Sequence, residues 1–279
     1  MTIAPAPARA DLANQIFDDT PRPLGPISVI GDSVLQGALI YSPTVVSQLA
    51  GYGWGPIRAW AGVGVNTRTS GSPNDARAPY RVELWRSQGW DPVDVFVNLG
   101  ANDSGICNTN IACARTAIMR MVDTIGPGHR IWWPMITRHP VYQHQADTWN
   151  AALLEIDAER DDFFTWDWPT VMATGGFQSV DNTHLTPSGY RIRSAMMATE
   201  AVLIVAATRG GWLRQKFASY RELTRWLPRL LRERRRIQSA RVITAADLAT
   251  WLSPHLDSPF IPAVARGPLA RFALSAYWR

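Results

Sequence analysis

Five short apolar runs recur along the first two-thirds of the chain, at residues 26–30, 56–60, 93–99, 130–136 and 163–166. Most are continuous rather than alternating, so each needs cover on both faces. That is the condition of a strand inside a parallel sheet. Segments with helical spacing lie between them at 33–49 (perturbed at Pro43), 78–88, 112–125 and 143–160. A last long helix is expected over 187–207, opened by Thr186 as N-cap with Pro187 in the first turn. Alternating β and α elements specify a doubly wound α/β sandwich, in which ligands sit beyond the carboxyl ends of the strands.

That rule can be tested against the polar clusters. Gly31-Asp32-Ser33 follows the first run, Gly62-Val63-Gly64-Val65-Asn66-Thr67 the second, and Gly100-Ala101-Asn102-Asp103 the third. Asp181-Asn182-Thr183-His184 stands just before the last helix. All four clusters should meet on one rim.

The chain of 279 residues is long enough for one domain of about 200 residues with an appendage. Residues 1–24, rich in Ala and Pro and containing Asp11, Asp18 and Asp19, have no unbroken apolar stretch and read as a flexible arm, not a signal peptide. Residues 25–209 form the expected catalytic domain, and 210–279 a basic helical C-terminal extension. The most apolar run, 195–207, contains Glu200 and is too short to span a bilayer. A cytoplasmic location is the expectation; Cys107 and Cys113 could pair in an oxidising compartment, and with no export signal two reduced thiols are expected.

Charge is unevenly spread. Residues 1–208 are net acidic, whereas 209–240 carry ten basic and two acidic groups. Leu213, Phe217, Tyr220, Leu223, Leu227, Leu230 and Leu231 recur there at helical spacing among the arginines, which describes amphipathic helices with a basic face. Such a face either packs on the domain or a second subunit, or meets an anionic ligand: lipid, nucleic acid or the phosphates of a coenzyme.

Ser33 at a strand-to-helix corner is placed for acyl transfer, but a serine hydroxyl needs a base. Of five histidines, His184 is the one with an acid close before it, Asp181. That carboxylate can hold Nδ1–H and leave Nε2 to take the serine proton. The N–H groups of Ser33 and Gly64 and the Asn102 amide can supply oxyanion donors. Asp32 and Asp103 read first as loop-holding side chains. Trp54, Trp60, Trp133 and His139 are candidates for substrate contact beside the rim, together with Asp32 and Asp103. No Gly-x-Ser-x-Gly elbow, phosphate loop with its lysine or His-Glu-x-x-His is present, and no dense cluster of metal ligands is visible.

Taken in order, Gly-Asp-Ser, a glycine after the second strand, Gly-x-Asn-Asp and Asp-x-x-His resemble the SGNH (GDSL-type) hydrolase superfamily, over residues 27 to about 209. The resemblance implies a three-layer α/β/α flavodoxin-like fold with a five-stranded parallel sheet. It also implies Ser33 as nucleophile, His184 as base, Asp181 as its partner, and Ser33, Gly64 and Asn102 as the oxyanion hole, with no cofactor required. The family's second block often reads Ser-Gly-x-Thr; here it is Gly64-Val65-Asn66-Thr67, so the donor is Gly64 or Val65. The expected activity is a serine esterase acting on small or carbohydrate O-acyl esters. The alternatives are an O-acyltransferase using acyl-coenzyme A as co-substrate toward a sugar hydroxyl, and an inactive SGNH scaffold serving as a binding module.

Overall fold

The structure is a computed structural model that describes residues 15–174, 179, 181–209 and 211, with isolated positions beyond. The chain divides into two compact units, Met1–Ala206 and Ala207–Arg279. The basic segment expected at 210–279 lies outside the described residues, apart from those isolated positions.

Along the first unit the chain forms β1 (Gln15–Asp18), β2 (Gly25–Gly31), α1 (Ser33–Ile40), α2 (Val45–Gly51), β3 (Trp54–Ala61), α3 (Ala78–Ser87) and β4 (Asp94–Asn98). Then follow α4 (Ala101–Cys107), α5 (Ile111–Ile125), β5 (Arg130–Trp132), α6 (Gln143–Glu159), β6 (Phe163–Phe164), α7 (Trp168–Thr174) and α8 (Pro187–Arg209). The sheet order is β1-β3-β2-β4-β5-β6. The last five of these strands run parallel, as expected for a doubly wound α/β domain.

The sixth strand is a correction. Residues 15–18 belong to the segment expected to be a flexible arm, yet they pair antiparallel with β3 and cover its open edge. Phe17 meets Trp85 edge-on at 6.5 Å, and Arg22 binds Asp18 at 2.9 Å. A strand of four residues, anchored by an aromatic contact and an ion pair, leaves little periodicity to read.

Two further differences have local causes. The expected helix over 33–49 is two helices, because Pro43 offers no N–H and Thr44 caps a new helix by accepting from Ser47 N at 3.2 Å. The Gly100-Ala101-Asn102-Asp103 motif, expected as a loop, begins α4. At the end of that helix Cys107 and Cys113 form a disulfide, with Cα atoms 5.4 Å apart across the turn into α5. This corrects the expectation of reduced thiols. Among the described residues no helix is long and apolar enough to cross a membrane.

Alternate strand residues feed the two faces. Ile30, Val95, Val97, Ile131 and Trp133 pack under α3, α5 and α6, where Trp85, Ile118, Met121, Trp149 and Leu153 form one continuous core. Ile27, Val29, Ile57 and Phe96 are buried on the opposite side, where α1 and α2 contribute Leu35, Leu39, Val45 and Leu49. Burial of this kind is worth about 25 cal/mol per Å² of apolar surface, and both faces of the sheet receive it.

Candidate active site

Register places the rim. Gly31 pairs with Ala61 on one side and with Asn98 on the other, so β2, β3 and β4 end on the same rung. Neighbouring strands are about 4.8 Å apart. The residues that leave that rung are therefore forced together: Asp32-Ser33, Gly62-Val63-Gly64 and Gly100-Ala101-Asn102.

Asp32 is the N-cap of α1, its Oδ1 accepting from Val34 N at 3.0 Å, while its own N–H donates to Asn98 O at 3.1 Å. These bonds fix Ser33 at the first position of the helix, where backbone donors are unpaired and the dipole is positive. On the other side of the site, Asn182 takes φ 60° and turns the chain back. The Asp181 carboxylate then accepts from Thr183 N at 2.9 Å and His184 N at 2.6 Å through Oδ1. Its Oδ2 accepts from His184 Nδ1 at 2.8 Å. Ser179 Oγ donates to His184 O at 2.8 Å, and Thr186 caps α8 through Gly189 N at 3.3 Å.

Ser33 Oγ lies 2.9 Å from His184 Nε2, across 151 residues of sequence. With Nδ1–H directed at Asp181, Nε2 is the acceptor and the serine hydroxyl donates. The relay is open to solvent: the His184 and Asp181 side chains are 41% and 44% exposed. Burial alone would raise the Asp181 pKa, but the hydrogen bonds from His184 and Thr183 outweigh it and hold the carboxyl below its ordinary value.

The second and third loops are bound to each other. Asn102 Nδ2 donates to Val65 O at 2.9 Å, which leaves its other N–H for a ligand. Asp103 Oδ1 accepts from Thr67 N at 3.0 Å and Thr67 Oγ1 at 2.9 Å. Val65 N–H is spent on Gly62 O at 3.4 Å, and Val65 is buried, which favours Gly64 over Val65 as the loop's free donor. Gly64 has φ +76°, and a Cβ there would meet nothing within 4 Å, so its surroundings are open.

Five of the six residues expected to contact substrate are buried instead. Trp54 begins β3, at the opposite end of the sheet from the rim, and meets Trp132 edge-on at 5.4 Å. Trp60 is buried beneath Arg81, whose guanidinium is 4.5 Å from its ring. Trp133 is fully buried and donates to Leu99 O at 2.8 Å. Asp103 is enclosed and bonded to Thr67, and burial raises its pKa. Asp32 is 1% exposed, and burial raises its carboxyl to about 6 despite the Val34 N–H and the nearby Arg193 charge. His139 is on the surface after β5, where its Nδ1 accepts from Val141 N at 3.3 Å.

Arg193 has no place in the reading of the sequence. It is 2% exposed and donates to Asn98 Oδ1 at 2.5 Å, and its guanidinium lies 4.1 Å from the Trp168 ring. It therefore ties α8, just after the His184 loop, to the end of β4. Tyr190, Arg193, Ser194, Met197, Ala198 and Ala201 are the buried stripe of α8, and that spacing was legible as an arginine on an otherwise enclosed helix face. Among the described residues no group of three or more His, Cys, Asp or Glu is placed to hold a metal ion.

No family model and no curated protein matches the sequence. Solved structures do match. One is a member of the lipolytic protein G-D-S-L family from Veillonella parvula, 15% identical, with a TM-score of 0.50 over 63% of this chain and 97% of that one. Another is a carbohydrate acetylesterase family member from Sinorhizobium meliloti, 17% identical, with a TM-score of 0.49 over 65% and 98%. A third is the catalytic domain of peptidoglycan O-acetyltransferase A from Streptococcus pneumoniae, 18% identical, with a TM-score of 0.48 over 66% and 94%. The likeness to the Veillonella protein is one of fold: the α/β sandwich here is the one that lipolytic protein has.

Proposed function

We propose that the chain is a serine-dependent acyl-ester enzyme of SGNH type, working through an acyl-enzyme on short acyl esters of small molecules or carbohydrates. The observation that carries this reading is the unbroken relay from Ser33 Oγ to His184 Nε2 at 2.9 Å and from His184 Nδ1 to Asp181 Oδ2 at 2.8 Å.

In the first half-reaction Ser33 Oγ attacks the ester carbonyl as His184 Nε2 takes its proton. Asp181 stabilises the imidazolium and keeps the ring oriented. Negative charge on the former carbonyl oxygen is met by the Ser33 and Gly64 N–H groups and the spare Asn102 N–H. His184 returns the proton to the departing alcohol as the C–O bond breaks. Water, deprotonated by the same imidazole, then attacks the acyl-serine; the carboxylic acid departs and Ser33 recovers its proton. The exposure of His184 and Asp181 supports a short acyl group on a polar carrier, since a long chain would need an enclosed apolar channel beside the serine.

Ser33→Ala tests the reading. Turnover of 4-nitrophenyl acetate should fall by about 10⁴–10⁶-fold, fluorophosphonate labelling should vanish, and the melting temperature should hardly move. Retention of activity in the variant removes the nucleophile assignment. An unlabelled, inactive wild-type protein would leave a binding scaffold. Acyl transfer to an added sugar in competition with water would make the enzyme a transferase.

A further inference from the structure

The rim after β5 carries a guanidinium that the relay does not use. Arg138 Nη1 donates to Gln145 Oε1 at 2.5 Å and to Ser104 Oγ at 3.4 Å. Its backbone N–H donates to Gln143 Oε1 at 3.2 Å, and the guanidinium sits 5.1 Å from the Tyr142 ring. The side chain is thereby held from α4, from α6 and by the aromatic ring between β5 and α6. A methyl group on Gly105 would press to 3.1 Å from Nη1, so the glycine leaves room for the guanidinium to lie along α4.

What it lacks is a counter-charge. Arg22, Arg86, Arg115, Arg130 and Arg160 each pair with an Asp or Glu. Among the described residues Arg138 pairs with none. Asp147, on the second turn of α6, accepts from Gln143 Nε2 at 2.9 Å instead. Partial burial already disfavours the charged form of Arg138. Nε and Nη2 keep their N–H groups, and a planar, immobilised fork of this kind is the group that recognises carboxylate or phosphate with least loss of entropy.

Its position relates it to the chemistry. Asn102 and Gly105 are three apart on α4, hence on one face and about 5–6 Å from each other. The guanidinium lying against Gly105 is therefore on the face of α4 that also carries Asn102, whose amide is placed in the oxyanion hole. We propose that Arg138 forms an anion subsite, and that the ester handled here carries a carboxylate or phosphate group within a few bonds of the scissile carbonyl. This rests on the esterase reading above, and it narrows the substrate class from acyl esters in general to anionic ones.

Two matched ester pairs test it: 4-nitrophenyl hydrogen succinate against 4-nitrophenyl butyrate for an anion in the acyl part, and 4-carboxyphenyl acetate against phenyl acetate for one in the alcohol. Wild type should favour the anionic member of one pair by about tenfold or more in kcat/KM. Arg138→Gln should bring that ratio close to one, with Arg138→Lys between. Calorimetric titration of succinate and of inorganic phosphate into wild type and Arg138→Gln reads the subsite without turnover: binding lost in the variant supports it, whichever anion binds. The proposal is overturned if wild type neither prefers an anionic ester nor binds either anion. It is also overturned if Arg138→Gln preserves the preference, or lowers both members of a pair alike together with the melting temperature, as a mere strut between α4 and α6 would. If no ester is turned over and Ser33 takes no probe, the esterase reading fails, and the titration alone decides the subsite.

Discussion

The two halves of the relay are built in opposite ways. On the nucleophile side Asp32 is enclosed, bonded into α1 and beside a buried arginine, and its carboxyl is pushed up to about 6 by burial. On the base side Asp181 is half-exposed, and hydrogen bonds from its own loop hold its carboxyl below the ordinary value. One aspartate is bonded into the framework; in the proposed reaction the other would steady the charge on His184. The first should matter to stability and its pH dependence, the second to rate.

Changing Asp181 is the sharpest way to break that contrast. Asp181→Asn should lower kcat by about 10²–10⁴-fold, because the ring loses its orienting acceptor while the base survives, and urea denaturation should show little change in stability. A large loss of stability with only a small loss of rate would reverse the roles assigned to the two sides.

The joint between the halves comes next. A Cβ added at Gly37 on α1 would stand 2.1 Å from Tyr190 Cζ on α8, and that ring is backed by Tyr41 at 5.7 Å. Gly37→Ala should cost about 1–3 kcal/mol by overpacking. It should also lower activity by separating the Ser33 helix from the helix that follows His184. Denaturation midpoints and ester turnover measured together check this.

The smallest effect is one of pH. Folded Asp32 keeps its proton to about pH 6, whereas an unfolded aspartate gives it up near 3.8. The stability it contributes is therefore fully present below about pH 3.8 and lost as pH rises through 6. Asp32→Asn should flatten that decline in urea midpoints between pH 4 and 7. Asp181 acts with the opposite sign, since its lowered value gives stability above pH 3.8 that is lost on acidification. Equal slopes in wild type and Asp32→Asn would show that Asp32 does not titrate in this way.

How much was legible follows the distance between partners. Asp181 and His184 are three residues apart, and the Thr186-Pro187 cap is adjacent, so their local arrangement could be read directly. The apolar runs at 26–30, 56–60 and 93–99 announced the parallel strands, and polar motifs just after each marked the rim. The edge strand β1 escaped because its anchors, β3 and Trp85, are far away in sequence. Trp54, Trp60 and Trp133 escaped for another reason: sequence proximity to a loop does not say which way an aromatic points, and only the strand's pleat and its direction decide between core and rim.

Order and composition along the chain thus settle the α/β architecture and the groups available at the carboxyl edge, because strand burial, helix capping and turn chemistry act over a few residues. Packing settles what those groups do. The shared rung of Gly31, Ala61 and Asn98 places the loops together, α8 brings His184 to Ser33 across 151 positions, and it buries Arg193 behind them. The juxtaposition of Arg138 with α4 is of the same kind. Such contacts are set by how elements fit across the core, and no local pattern of residues encodes that fit.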